Sequence, residues 1–369
     1  MLPLLRSWGD GAACLSLAMA LCVCSMVTTP GTLHACGGCY RLPYQSLLEK
    51  VERADRVVVA HSADSTRSSW QIERTIKGGE AGADETIKVD ALSRAAKNIS
   101  AGPHILLWNQ TLDSWTIEAL ANRELVEFLT RAVVLSGRMQ EIPVRHRAQQ
   151  LRFFLPYLEH RDPQIADSTH AKLSGAPYAV LQELSDDLDV NQLLIWIETQ
   201  PRTNTKRIAL SVTLLGICGA KSEAGLVKQW LDQDYSGGDV AYLTALLTAH
   251  IEMDGEAAVR YVEKSYLRNS DRQLGEIIAA VDAMRTHGQT ETVVSRDRIK
   301  ASFHLFLKER PPLAELIIDD FARWEDWSIA PVLIEIYQSG RQPWNNALIT
   351  KYLNACPLPT AKNFLRHAR

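Results

Sequence analysis

Two cysteines separated by two glycines, Cys36-Gly37-Gly38-Cys39, are the first residues whose types and spacing could do chemistry. A Cys-x-x-Cys pair serves dithiol exchange, half of a metal site, lipid attachment or a plain disulfide. Exchange catalysis needs a thiolate of lowered pKa, usually at a helix N-terminus, beside a resolving thiol. Here no proline separates the cysteines, no strand–helix frame surrounds them, and the next helical pattern begins only near Pro43. A c-type haem requires His after the second cysteine, and position 40 is Tyr. Structural zinc needs four ligands, and only His34 and His61 are near. Leu33 and Ala35 suit lipidation of Cys36, whereas His34 and the gap after the apolar run do not. Gly37 and Gly38 permit the tight loop of a local disulfide, so a Cys36–Cys39 bond is the expectation, with thiol–disulfide redox work as the alternative.

Elsewhere the sequence lacks His-Glu-x-x-His, Gly-x-Ser-x-Gly, a phosphate-binding glycine loop and a dinucleotide fingerprint. Asp239 after a glycine pair reads as a helix N-cap. The acidic pairs Asp186-Asp187 and Asp319-Asp320 read as solvated helix faces. His160 and His170 flank a turn and could meet, with His146 nearby, but no carboxylate or thiol stands at ligand spacing. Cys218, in an apolar helix, reads as a buried small hydrophobe; Cys356 precedes Pro357 and reads as either free or buried. No catalytic residue, metal or cofactor is therefore expected. Trp324, Trp327 and Trp344 cluster near Phe321 and Tyr337. They read as the seal on the end of a helical core, with an aromatic hot spot for a partner as the functional alternative.

Residues 1–35 follow the logic of a secretory signal: Arg6, an apolar run from Gly11 to Val27, a break at Thr28 to Gly31, and a cut before Cys36. An uncleaved anchor is the alternative, and no later stretch is long and apolar enough to span a bilayer. Export to the periplasm, envelope or medium is expected. Of seven cysteines, Cys36, Cys39, Cys218 and Cys356 follow the cut, too few for a disulfide-built scaffold. A net charge of −3 gives no reason to expect nucleic acid as partner.

Two periodicities then divide the chain. Over 36–121, "DRVVVAHS", "SSWQIERTIKG", "TIKVDAL", "GPHILLWNQ" and "SWTIEAL" read as five short strands separated by turn clusters, a small β-barrel or sandwich. The alternation Trp70, Ile72 slips before Ile76, and Leu47, Leu48 and Val51 stand at helical spacing ahead of the strands. Over 122–369 the period is 3.6, with breaks at Asp162-Pro163, Gly237 to Asp239, Asp254-Gly255 and Pro311-Pro312. Short helices with short connections indicate stacked helix pairs. The fold class expected is α+β, mostly α: a five-stranded barrel followed by an α-solenoid.

The stretch "DPQIADSTHAKLSGAPYAVLQEL" gives the helical part a resemblance to HEAT-like repeats, over roughly residues 145–365. The amino-terminal part, with Cys36, a helix and then "ADRVVVAHS…WQIERTIKGG…TIKVD", looks like the netrin-like and tissue-inhibitor-of-metalloproteinases barrel, an OB-type fold. That second resemblance implies chelation of a protease zinc by the amino-terminal cysteine, a role open only to Cys36. The spacing Cys-Gly-Gly-Cys departs from the family's Cys-x-Cys, and its later barrel cysteines are missing. The function expected is non-enzymatic binding or scaffolding of a protein partner on the helical-repeat surface. An envelope redox protein and an inhibitor-like binder acting through Cys36 are the alternatives.

Overall fold

The computed structural model describes residues 44–79, 85–90, 101–139, 143–201, 204–233 and 239–367. The expected leader and the Cys36–Cys39 pair lie outside the described residues.

Helix α1, Leu47–Arg53, begins where Ser46 accepts a hydrogen bond from the Glu49 backbone and Glu49 returns one to the Ser46 backbone. This reciprocal box satisfies two otherwise orphaned donors. Five strands follow: β1 Arg56–Ser62, β2 Ser69–Lys77, β3 Thr86–Lys88, β4 His104–Asn109 and β5 Ser114–Leu120. They form one antiparallel sheet in the order β3-β2-β1-β4-β5. The slip in β2 is physical. Val57 and Val58 face Lys77 and Thr75, and Val59 and Ala60 face Arg74 and Ile72, so Ile76 and Glu73 are extra residues in the ladder. Bulges bend a strand and raise its twist, and this sheet curls into a half-barrel.

Curling gives the sheet two buried faces, which is why "VVVA" in β1 is apolar throughout. Val57, Ile105 and Leu107 point into the helical core. Val58, Ala60, Trp70, Ile87, Leu106, Trp115 and Ile117 fill the inside of the curl. Among the described residues β3 and β5 are the two edges, where a closed barrel has none. At three residues, β3 offers little ladder for closure.

Beyond the sheet the chain is helical, as the change of period indicates: α2 Arg123–Met139, α3 Val144–Leu151, α4 Pro163–Ser174, α5 Tyr178–Gln182, α6 Val190–Thr199, α7 Thr205–Cys218, α8 Lys221–Gln233 and α9 Val240–Asp254. Then come α10 Glu256–Val262, α11 Leu274–Thr290, α12 Arg296–Glu309, α13 Glu315–Arg323, α14 Ala330–Ser339, α15 Asn346–Ala355 and α16 Pro359–His367. Asp162, Asp189 and Asp239 cap α4, α6 and α9 through side-chain bonds to the first backbone amides. "RAQQLRFFLPYLEH" is not one helix: α3 stops at Leu151 and a 3-10 turn, Leu155–Tyr157, follows. Pro156 lacks the donor an α-helix needs and disfavours helical geometry in Leu155.

α7 packs on α9, α9 on α11, α11 on α13 and α13 on α15, while α6, α8 and α12 pack beside that row. A Cβ at Gly216 would stand 2.6 Å from the Ala249 Cα, so only glycine permits the approach of α7 to α9. Ala241 to Ile251 of α9 are all buried. A helix that is apolar all round belongs at the centre of a core. One hydrophobic cluster runs from Leu47 of α1 to Ala361 of α16.

Candidate functional site

The three tryptophans singled out by type do not share one environment. Trp324, at the end of α13, stacks on Phe303 at 6.0 Å and meets Phe321 edge-on at 6.3 Å. Arg296 lies over its ring at 5.9 Å. Trp327 packs on Tyr352 at 5.1 Å, and the Tyr352 hydroxyl donates to the Asp326 carbonyl at 2.7 Å. Both tryptophans thus lie against the core. Trp344 does not: it is 56% exposed. It sits in a 3-10 turn, Pro343–Asn345, and its indole N–H donates to the Pro312 carbonyl at 3.2 Å.

A groove of about 620 Å³ opens between α12 and α14. Leu307, Pro311, Val332 and Ile336 give it an apolar floor, and Lys308, Glu335 and Arg341 stand on its rim. Gln342 also lines it, two residues before Trp344, and Pro311 precedes the carbonyl that holds the indole. The exposed tryptophan is thus anchored beside the groove. His304 also lines it and shares a 3.0 Å hydrogen bond with Ser328. This arrangement can receive an apolar segment whose flanks carry negative charge.

The histidines face separate partners. His160 accepts from the Asp162 amide at 3.1 Å and lies 3.9 Å from Glu124, whereas buried His170 bonds the Lys206 carbonyl at 3.0 Å. His146 is exposed. Cys218, expected to be buried, is half-buried at the end of α7, and desolvation pushes its thiol up to about 11, away from thiolate reactivity. Cys356 is buried against the core and carries a free thiol. Among the described residues no group of three or more His, Cys, Asp or Glu side chains is placed to hold a metal ion. No helix among them is long and apolar enough to cross a membrane.

One polar cluster escaped sequence reasoning. Glu252 of α9 accepts from the Tyr178 hydroxyl and the Gln182 amide, each at 2.9 Å, and its carboxylate lies 3.5 Å from Nδ1 of His287 in α11. His287 bonds the Thr248 carbonyl through Nε2 at 3.0 Å. A carbonyl only accepts, so Nε2 carries the proton and Nδ1 turns its lone pair toward Glu252. Desolvation pushes the Glu252 carboxyl up and His287 down to about 4, and both shifts favour the uncharged forms. The cluster ties α5, α9 and α11 together inside the core. Its available signal was a histidine on the same helical stripe as Ala280 and Met284, both fully buried.

Comparison with protein-family models, curated proteins and solved structures finds no match for this chain.

Proposed function

We propose that this chain is an exported, non-enzymatic binding protein that presents its stacked helix pairs to a protein partner. The row α7–α9–α11–α13–α15, flanked by α6, α8 and α12, supports a HEAT-like reading of the helical part. The strand order supports an OB-like reading of the sheet, because β3-β2-β1-β4-β5 is an OB barrel cut open between its third and fifth strands. Burial of Ala241 to Ile251 leaves the middle of the row little free face, so the binding surface is sought at the C-terminal end.

The observation that carries the proposal is Trp344, an exposed aromatic anchored on the Pro312 carbonyl beside an apolar groove that Lys308 and Arg341 line. Tryptophan beside a partly desolvated cleft is the residue type that dominates binding energy at interfaces. Two cations against Glu335 favour a segment of a partner protein that joins an apolar anchor to acidic neighbours. The test compares proteins retained from an envelope fraction by the wild-type chain and by a Trp344→Ala/Lys308→Glu/Arg341→Glu variant. Retention of a defined protein that the variant loses supports the proposal. Equal retention by both, or by neither, removes it. A Cys36→Ser/Cys39→Ser variant with unchanged retention separates this reading from redox work and from inhibitor-like binding through Cys36.

A further inference from the structure

A second cavity, of about 360 Å³, lies far from the groove in sequence, between α1, α2, α3 and the turn from α4 to α5. Its size falls in the range of small-molecule pockets, about 300–1,000 Å³. Val133, Leu151, Ala176, Pro177 and Val180 give it apolar walls. Five charged side chains also line it, and four of them are already engaged. Lys77 donates to the carbonyls of Val51, Glu52 and Ala54 at 3.2, 2.7 and 2.6 Å, closing the end of α1. Lys172 pairs with Glu52 at 2.5 Å. Glu49 closes the box at the start of α1.

Arg147 is the remaining cation of that wall. Among the described residues its buried Nε finds no hydrogen-bond partner. Among those residues the hydroxyl of Ser136, another residue of the cavity lining and only 7% exposed, finds none either. Buried donors without partners cost free energy, and in native proteins nearly all are satisfied by protein, water or ligand. Two such donors in residues that line one cavity, one of them on a charged fork, point to a group that accepts from both.

We propose that this cavity binds a small organic carboxylate, with the anion on Arg147 and Ser136 and the apolar body against Val133, Leu151 and Val180. A carboxylate matches a guanidinium edge, taking Nε–H and one terminal N–H in two parallel bonds. One uncommitted cation balances one negative charge, so a monoanion fits better than a doubly charged phosphate. The apolar walls exclude a purely polar anion such as sulfate. No covalent step is implied.

The test is calorimetric titration of the full chain with butyrate, octanoate and benzoate, with 1-octanol and octylammonium as charge controls. At least one carboxylate is expected to bind saturably at one site, while 1-octanol and octylammonium do not. Arg147→Gln is expected to weaken that binding tenfold or more, Arg147→Lys less, and Ser136→Ala roughly threefold, with far-UV dichroism and melting checked for each variant. Lack of saturable binding by all three acids overturns the proposal. So does equal binding of 1-octanol or octylammonium, or an Arg147→Gln variant that folds and binds as the wild type does.

Discussion

Acidification should weaken this fold through its buried histidines, and His287 allows the effect to be measured. His170 and His287 are each held down to about 4 by desolvation, against 6.5 for a solvated imidazole. In the unfolded chain each binds a proton below about 6.5, and in the fold only below about 4. The stability they permit is therefore complete above pH 6.5 and is lost as pH falls toward 4. Inside that window the unfolded state holds up to one more proton per histidine, a slope averaging about 1 kcal/mol per pH unit for each. From pH 6.5 to 5 the two together withdraw roughly 3 kcal/mol, a large part of a typical 5–15 kcal/mol. His250 is lowered in the same direction. The carboxyls of Glu159, Glu252 and Asp282 are raised by burial and oppose the loss, because they regain their protons in the fold as pH falls. A difference between two chains removes that background. In His287→Gln the amide can still donate to the Thr248 carbonyl but does not titrate. Urea unfolding at intervals between pH 7 and 5 should give an average free-energy slope about 1 kcal/mol per pH unit shallower for the variant than for wild type. Parallel curves would refute the reasoning, since they would mean that His287 is protonated in the fold as readily as outside it.

Phe303→Ala, at a fully buried ring stacked on Trp324, should cost about 3–5 kcal/mol in urea unfolding, whereas Trp344→Ala should stay within about 0.5 kcal/mol of wild type. A comparable loss in both would mean that Trp344 is structural. Arg285→Met should cost about 3–5 kcal/mol, because Arg285 holds Asp320, only 1% exposed, at 2.7 Å together with Asp282 and the Leu316 carbonyl. Adding Asp320→Leu should recover part of that loss, and no recovery would count against a charge-pairing explanation. Cys36→Ser/Cys39→Ser should lower the melting temperature by about 2–4 °C for ~1 kcal/mol, as a short disulfide loop implies. A far larger fall would point instead to a bound metal.

Where burial follows a period, the sequence was legible. The slip between Ile72 and Ile76 appears as two bulges in β2, and Asp162 and Asp239 cap the helices they precede. These features are local: an extra residue changes which side chain faces inward within the same strand, and a cap needs only the next two amides. Legibility ends where a second element decides the outcome. The Glu263–Leu267 segment, inside an uninterrupted helical pattern, widens into a π turn. Glu263 there receives Arg298 and Ser302 of α12, 35 and 39 residues later.

Trp324 and Trp344 make the same point about function, since composition and spacing placed them in one cluster. Trp324 ends a helix whose neighbour α12 supplies Phe303, so its ring turns inward. Trp344 follows Pro343 in a turn, its indole donates to a backbone carbonyl, and its ring faces solvent. A hot-spot reading needs an aromatic that the core has left unused, and the facing element, not the residue type, makes that selection. Arg147 and Ser136 follow the same rule with polar groups. Each is unremarkable on its own helix, and the cavity gives them meaning because α1, β2 and α4 have already used the other charges that line it. Uncommitted donors are defined by subtraction over long-range partners, and that subtraction is available only once the chain has folded.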